Sequence, residues 1–142
     1  MYFYIEPEVS GGFGKNNQAD TTVHPPNVSK LHYLFDGWLE DDILETFPCF
    51  IVTKRLKNAL MQQCFTGFSI DDVEISKSEQ FDNIYPNKTL PNFYWLKVTG
   101  VAGKDDFGIA NDHRLVISQR ILNLLKTVNI VHADLEPLKI IN

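Results

Sequence analysis

The chain writes one short phrase twice. The first copy is Phe50-Ile51-Val52-Thr53-Lys54-Arg55-Leu56-Lys57-Asn58-Ala59-Leu60, and the second is Leu115-Val116-Ile117-Ser118-Gln119-Arg120-Ile121-Leu122-Asn123-Leu124-Leu125. Each opens on three apolar residues, follows with a hydroxyl, and places an arginine two positions later. A short apolar run suits a strand buried on both faces. Ser or Thr in the next place is a preferred helix N-cap, because its oxygen accepts from an amide of the first turn. The apolar spacing then becomes helical: Leu56, Ala59 and Leu60 in one copy, Ile121, Leu124, Leu125 and Val128 in the other. After a gap each helix leads into a run with acidic residues, 68–75 and 130–136. The reading is a strand, a capped helix and a second strand over 48–76, repeated over 114–137. A parallel crossover inside each unit is expected to be right-handed. The alternative places the 50 and 115 strands at the edge of the sheet.

The remaining elements are read around these units. Residues 1–5 are apolar on both faces and fit a central strand, stopped by Glu6-Pro7. Residues 8–30 are rich in Gly, Asn, Thr and Pro and read as one long loop. A strand over 31–35 follows. Leu39, Ile43 and Phe47 then carry helical spacing, so 38–47 reads as a short helix with Glu40, Asp41, Asp42 and Glu45 on its other face. In 68–75 the apolar parity switches, which a bulge at Asp71-Asp72 would reconcile. Ser76 to Glu79 has capping-box spacing ahead of a short helix. Residues 93–99 read as a central aromatic strand, and 100–112 as a second polar loop. In the last strand Val131, Ala133 and Leu135 alternate with His132, Asp134 and Glu136, so the first set is expected to face inward. The expected fold class is α+β in a single domain, a mixed β-sheet with helices packed on one face.

At 142 residues and a net charge of −5, the chain is long enough for a core and too acidic to favour phosphate neutralisation. Nucleic acid is therefore not an expected partner, and a basic protein is. No stretch has the length and apolarity of a membrane span, so neither a membrane partner nor a leader is expected, and a cytoplasmic location is. Cys49 and Cys64 lack knuckle or redox spacing and read as small buried hydrophobes in a reduced compartment, with a disulfide as the alternative.

Motifs with chemistry are few. Gly11-Gly12-Phe13-Gly14-Lys15-Asn16 has Val9 where a phosphate loop needs glycine and Asn16 where it needs Ser or Thr. His24, His32, His113 and His132 lack ligand spacing; the first and third read as loop residues, the others as out-facing strand residues. Neither a metal nor a cofactor is expected, and no residue is nominated as catalytic. The pairs Asp41-Asp42, Asp71-Asp72 and Asp105-Asp106 read as solvated acidic surface. Their sharper reading is one acidic face that meets a basic partner. Arg55 and Arg120 sit at the unfavourable end of a helix dipole and are expected to pair with acids of the following strands.

The phrase "apolar strand, Ser or Thr, one residue, Arg, apolar helix" resembles a signature of bacterial immunity proteins of polymorphic-toxin systems. It stands at Ile51-Val52-Thr53-Lys54-Arg55 and Val116-Ile117-Ser118-Gln119-Arg120, and Phe93-Tyr94-Trp95-Leu96 is similar to an aromatic segment found between such units. The resemblance covers residues 48–136. It implies a protein that binds and blocks a cognate toxin and that carries no catalytic residues; a monomer or homodimer is expected. The expected partner surface is acidic and aromatic: Trp38, Glu40, Asp41, Asp42, Glu45, Asp71, Asp72, Glu74, Asp105 and Asp106. Two alternatives stand beside it. One is an enzyme with a site formed by the N-terminal Gly-rich loop and the 100–112 loop. The other is a structural or assembly subunit whose aromatics serve an interface.

Overall fold

The computed structural model describes residues 1–139. In chain order its elements are β1 (Tyr2–Glu6), β2 (Gly11–Phe13), β3 (Gln18–Asp20), β4 (Asn27–Lys30), β5 (His32–Phe35), β6 (Ile43–Thr46) and β7 (Cys49–Thr53). Then come α1 (Lys54–Met61), β8 (Phe68–Asp71), β9 (Glu74–Lys77), α2 (Glu79–Ile84), β10 (Phe93–Val98), β11 (Phe107–Ile109), β12 (Leu115–Ser118), α3 (Gln119–Leu125) and β13 (Asp134–Pro137). The fold is α+β.

The two copies of the repeated phrase adopt one shape. β7 runs into α1 with Thr53 as N-cap, its side chain accepting from the Leu56 amide, and β12 runs into α3 with Ser118 accepting from Ile121. Each strand anchors a four-stranded antiparallel sheet, ordered β6-β7-β10-β8 and β11-β12-β1-β13. The registers match position by position. Thr53 faces Phe93 where Ser118 faces Tyr2, and Val52 faces Ile43 where Ile117 faces Phe107. Even the residue after each cap finds the same partner: the Lys54 amide donates to Asn92 and the Gln119 amide to Met1.

The chain therefore holds two equivalent units, β1-β6-β7-α1-β8 and β10-β11-β12-α3-β13, that exchange their first strands. β10 of the second unit lies between β7 and β8 of the first, and β1 of the first lies between β12 and β13 of the second. β7 and β8 are thus parallel to each other but never touch, since the borrowed strand is antiparallel to both. The repeated strands are interior, not edge strands.

Two cores explain why β7 is apolar from Cys49 to Val52. Phe50 and Val52 face a core with Ile5, Ile43, Leu56, Leu60, Leu96, Phe107, Leu115, Ile117, Ile121 and Leu125. Cys49 and Ile51 face a second core with Leu31, Tyr33, Phe35, Trp38, Leu44, Phe81, Phe93 and Trp95. The second core is capped by a smaller sheet, β2-β5-β9, whose β5–β9 pair is parallel, beside the β3–β4 hairpin. Each large side chain taken out of water contributes about 1.5–3 kcal/mol.

Several expectations are corrected. The segment 38–47 is not a helix: Ile43 and Leu44 are buried in opposite cores, as strand neighbours are, while Leu39 and Phe47 are exposed. The segment 68–75 has no bulge; the chain leaves β8 and enters β9 in a different sheet, which reverses the parity. The cap of α2 is Ser78, not Ser76, because Ser78 Oγ is the acceptor for the Phe81 amide. The long loops contain β2, β3 and β4 in one case and β11 in the other. β13 is an exposed edge strand: Leu135 on it and Val131 ahead of it face water, and of the expected inward set Ala133 packs against the first core. The single mixed sheet is replaced by separate sheets. Among the described residues no helix is long and apolar enough to cross a membrane.

Arg55 and Arg120 pair with acids, but of the preceding strand's corner rather than the following strand. Asp42 leads into β6 and Asp106 leads into β11. The Asp42 carboxylate accepts from Thr53 Oγ1, from Arg55 Nε at 2.8 Å and Nη2 at 2.5 Å, and from the Asn129 amide at 2.8 Å. Asp106 accepts from Ser118 Oγ at 2.6 Å, Arg120 Nε at 3.2 Å and Nη2 at 2.8 Å, and the Thr66 amide at 2.9 Å. Asn129 belongs to the second unit and Thr66 to the first, so each aspartate joins its own unit to the other. The adjoining Gly67 adopts φ +91, and a Cβ there would lie 2.1 Å from the Phe107 carbonyl oxygen, so the turn that presents Thr66 requires glycine.

Asp42→Ala and Asp106→Ala should each lower unfolding free energy by about 2–4 kcal/mol in urea titrations, because buried donors are left without an acceptor. Arg55→Ala and Arg120→Ala should lose less, since these side chains are 65% and 57% exposed and leave the hydroxyl and amide bonds in place. Burial alone would raise the Asp106 carboxyl, but the Arg120, Ser118 and Thr66 hydrogen bonds and the Arg120 charge hold it at about 2. A carboxyl depressed in the folded state contributes its full stability above the unfolded value of about 3.9 and loses it as pH falls through the folded value. Stability measured from pH 5 to 2 should therefore fall more steeply in the wild type than in Asp106→Asn.

Candidate functional site

A cleft of about 510 Å³ opens where the end of β1, the β6–β7 turn, the turn before β12 and the start of β13 meet. Its walls carry Glu6, Glu8, Glu45, Asp112, His113, Arg114, His132 and Asp134, with Val9 and Phe47 as apolar members. Strand register puts like charges together: Glu6 on β1 faces Asp134 on β13. Glu8 joins through its backbone, bridging to Leu44 and accepting the Glu45 amide at 2.9 Å. Arg114, the cation of the cleft wall, is engaged by Asp112 at 2.7 Å and Glu136 at 3.3 Å, with its guanidinium 3.6 Å from the Tyr4 ring centroid. Burial and then the charge of Glu6 push the Glu45 carboxyl up to about 6.

Beneath the cleft lies Asp41, fully buried. Its carboxylate accepts the His132 amide at 2.8 Å and lies 3.0 Å from His132 Nδ1, while its carbonyl accepts from Trp38 Nε1 at 2.9 Å. The Asp41 bond draws the His132 imidazole upward in pKa. Burial raises the Glu8 carboxyl as well, with Asp41 adding to the rise. On the rim His24 stands 6.0 Å from Phe47 and 5.7 Å from His113, ring centre to ring centre.

The ten residues of the expected acidic face are dispersed. Trp38, Asp41, Asp42 and Asp106 are buried, so none of the four belongs to a solvated surface; each is held by the bonds given above. Glu40 is exposed and pairs with Lys88 at 2.5 Å. Asp71 pairs with Lys97 at 3.1 Å, and Asp72 is its exposed neighbour, donating its amide to Asp71. Glu74 meets Lys30 at 3.2 Å and Asn16 at 2.9 Å, and lies 3.7 Å from His32. His32, expected to face outward, is buried, with Nε2 2.8 Å from Ser76 Oγ. Asp105 accepts the Val101 amide at 2.7 Å. Of the ten, Glu45 lines the cleft and Asp41 supports it.

The residues that do converge were missed because they come from distant segments. One signal was legible: Asp41-Asp42-Ile43 and Asp105-Asp106-Phe107 precede the two phrases at nearly equal distances, which marks them as parts of the repeat. The two polar loops do meet here, through Glu8 and His24 of one and Asp112 of the other with the adjoining His113. Cys49 is buried and its thiol is pushed up to about 12; Cys64 is exposed, contrary to expectation, and both are free. No protein-family model, curated protein or solved structure matches the chain.

Replacing Glu6 with Gln should lower the Glu45 pKa from about 6 without returning it to the ordinary carboxylate value, since burial remains. Carboxyl-carbon NMR titration of the two proteins reads this directly. A Glu45 pKa unchanged in Glu6→Gln would contradict the like-charge coupling.

Proposed function

We propose that the chain is a binding protein of the immunity type, one that engages a basic segment of a cognate bacterial toxin in the Glu6–Glu45–Asp134 cleft. The supporting observation is the excess of carboxylates around one opening. Glu6 and Asp134 face each other across the β1–β13 pair, Glu45 lines the same opening, and Arg114 is occupied by Asp112 and Glu136. A lysine or arginine entering the cleft relieves that repulsion, and exposed Phe47 and Val9 supply apolar contact at its edge. Such complementarity acts mainly on association rate and partner choice. The twice-used strand-cap-helix phrase adds the resemblance to immunity proteins.

The test is a search of the adjoining genes for a toxin domain, followed by coexpression of the chain with it. The chain should restore growth and co-purify with the toxin, with an on-rate that falls as salt rises. Glu45→Lys should weaken affinity at least about tenfold. Pairing with a cation favours ionised Glu45, so affinity should rise with pH until about 6 and then level off, and Glu45→Gln should flatten that profile. Rescue that is indifferent to salt and to Glu45→Lys would remove the cleft from the account, and failure of rescue would remove the toxin.

A further inference from the structure

The floor of the cleft holds a group that the toxin-binding reading does not use. Glu8, Asp41 and His132 each present one ligand-type atom, and these atoms lie within 4.8 Å of one another. They come from three separated places: the segment after β1, the corner before β6 and the segment before β13. Sequence spacing gives no sign of the group, because it is assembled by the exchange of strands between the two units.

The surroundings are those of a site short of a cation. Asp41 is 0% exposed, yet its two oxygens are met by one residue, through the His132 amide and Nδ1. Glu8 Oε2 and Ser10 Oγ, two positions apart on one segment, are both shut away from solvent and neither makes a hydrogen bond of good geometry; the Ser10 hydroxyl beside Glu8 offsets only part of the rise that burial imposes on its carboxyl. A buried carboxylate oxygen is an acceptor only and is costly to leave without a donor or a cation. None of the ion pairs among the described residues brings a lysine or arginine to Glu8 or Asp41.

We infer that Glu8, Asp41 and His132 form a binding site for a divalent first-row transition ion, with Zn²⁺ the best fit. Two carboxylate oxygens and one imidazole nitrogen are a donor set this class of ion accepts. Neighbouring ligands of tetrahedral zinc stand roughly 3.3 Å apart, given metal–ligand lengths of about 2.0–2.2 Å. The 3.0 Å separation of His132 Nδ1 and Asp41 Oδ1 already approaches that spacing, so the ion replaces the proton shared between them. Glu8 Oε2 closes in as the third ligand. His132 is 39% exposed, which gives the ion a route in and leaves a coordination position facing the cleft. The hydrogen bond from Trp38 Nε1 to the Asp41 carbonyl fixes the corner from behind. Bound there, the ion ties the segment before β13 to the first unit and stiffens the cleft wall.

The inference does not depend on the toxin, and its test uses metal alone. Chelator-treated protein is titrated with Zn²⁺, and in a separate arm with Mn²⁺, by calorimetry. One Zn²⁺ per chain should bind with a dissociation constant in the micromolar range or tighter, and more weakly for Mn²⁺. Glu8→Gln and His132→Gln should each weaken Zn²⁺ binding by tenfold or more, and the rise in melting temperature on adding Zn²⁺ should vanish with them. The double variant His24→Gln/His113→Gln, which removes the exposed rim imidazoles, should bind as the wild type does. A wild-type imidazole NMR titration gives a readout free of folding defects, with the His132 resonances shifting first and saturating at one equivalent. Absence of saturable binding would overturn the inference. So would binding that survives both ligand substitutions, or that disappears with the rim histidines.

Discussion

Two buried carboxylates hold this protein together. Asp42 and Asp106 each collect a hydroxyl, both arms of an arginine and a backbone amide. Those donors fill the acceptor positions a carboxylate has, which is the condition for burying one without a large desolvation penalty. The same oxygens serve three purposes. They seat the helix cap by fixing its hydroxyl, they orient the arginine at a helix start that would otherwise disfavour it, and they bind the other unit by its amide. The backbone repeats the pattern, with the Thr53 amide donating to the Asp42 carbonyl and the Ser118 amide to that of Asp106.

From that constraint the architecture follows. Asn129 and Thr66 can reach their aspartates only if each unit's second half lies against the other's first half, and strand exchange between the sheets achieves this. The insertion that carries β2 to β5, with β9 and α2, then covers the far face of the β6-β7-β10-β8 sheet and gives it its second core. Exchange also brings β1 beside β13, setting Glu6 opposite Asp134 and drawing Glu8, Glu45 and His132 toward one opening. The negative cleft is thus a by-product of the interlocking, located where the two units cross.

Local chemistry was legible in the sequence and long-range chemistry was not. The caps Thr53 and Ser118, the buried stripes of α1 and α3, and the central placement of β1 and β10 all follow from spacing a few residues long. The strand at Ile43–Thr46 was hidden because Leu39, Ile43 and Phe47 mimic a helix; only the two covering cores show that Ile43 and Leu44 point opposite ways. Asp41 and Asp42 look like a solvated pair for the same reason, since nothing near them in sequence announces Asn129 or His132 as partners. The expected acidic face failed where burial consumed its members. The acidic character itself reappears in residues that sequence distance kept apart.

The central claim is that neither unit is complete without the other. A chain divided between Thr89 and Leu90 tests it, because the break lies in the segment between α2 and β10 and separates the two units. Circular dichroism and amide NMR of fragments 1–89 and 90–142 should show each unfolded alone and a native-like fold on mixing at equal concentration. Either fragment folding by itself, or no structure regained on mixing, would contradict it.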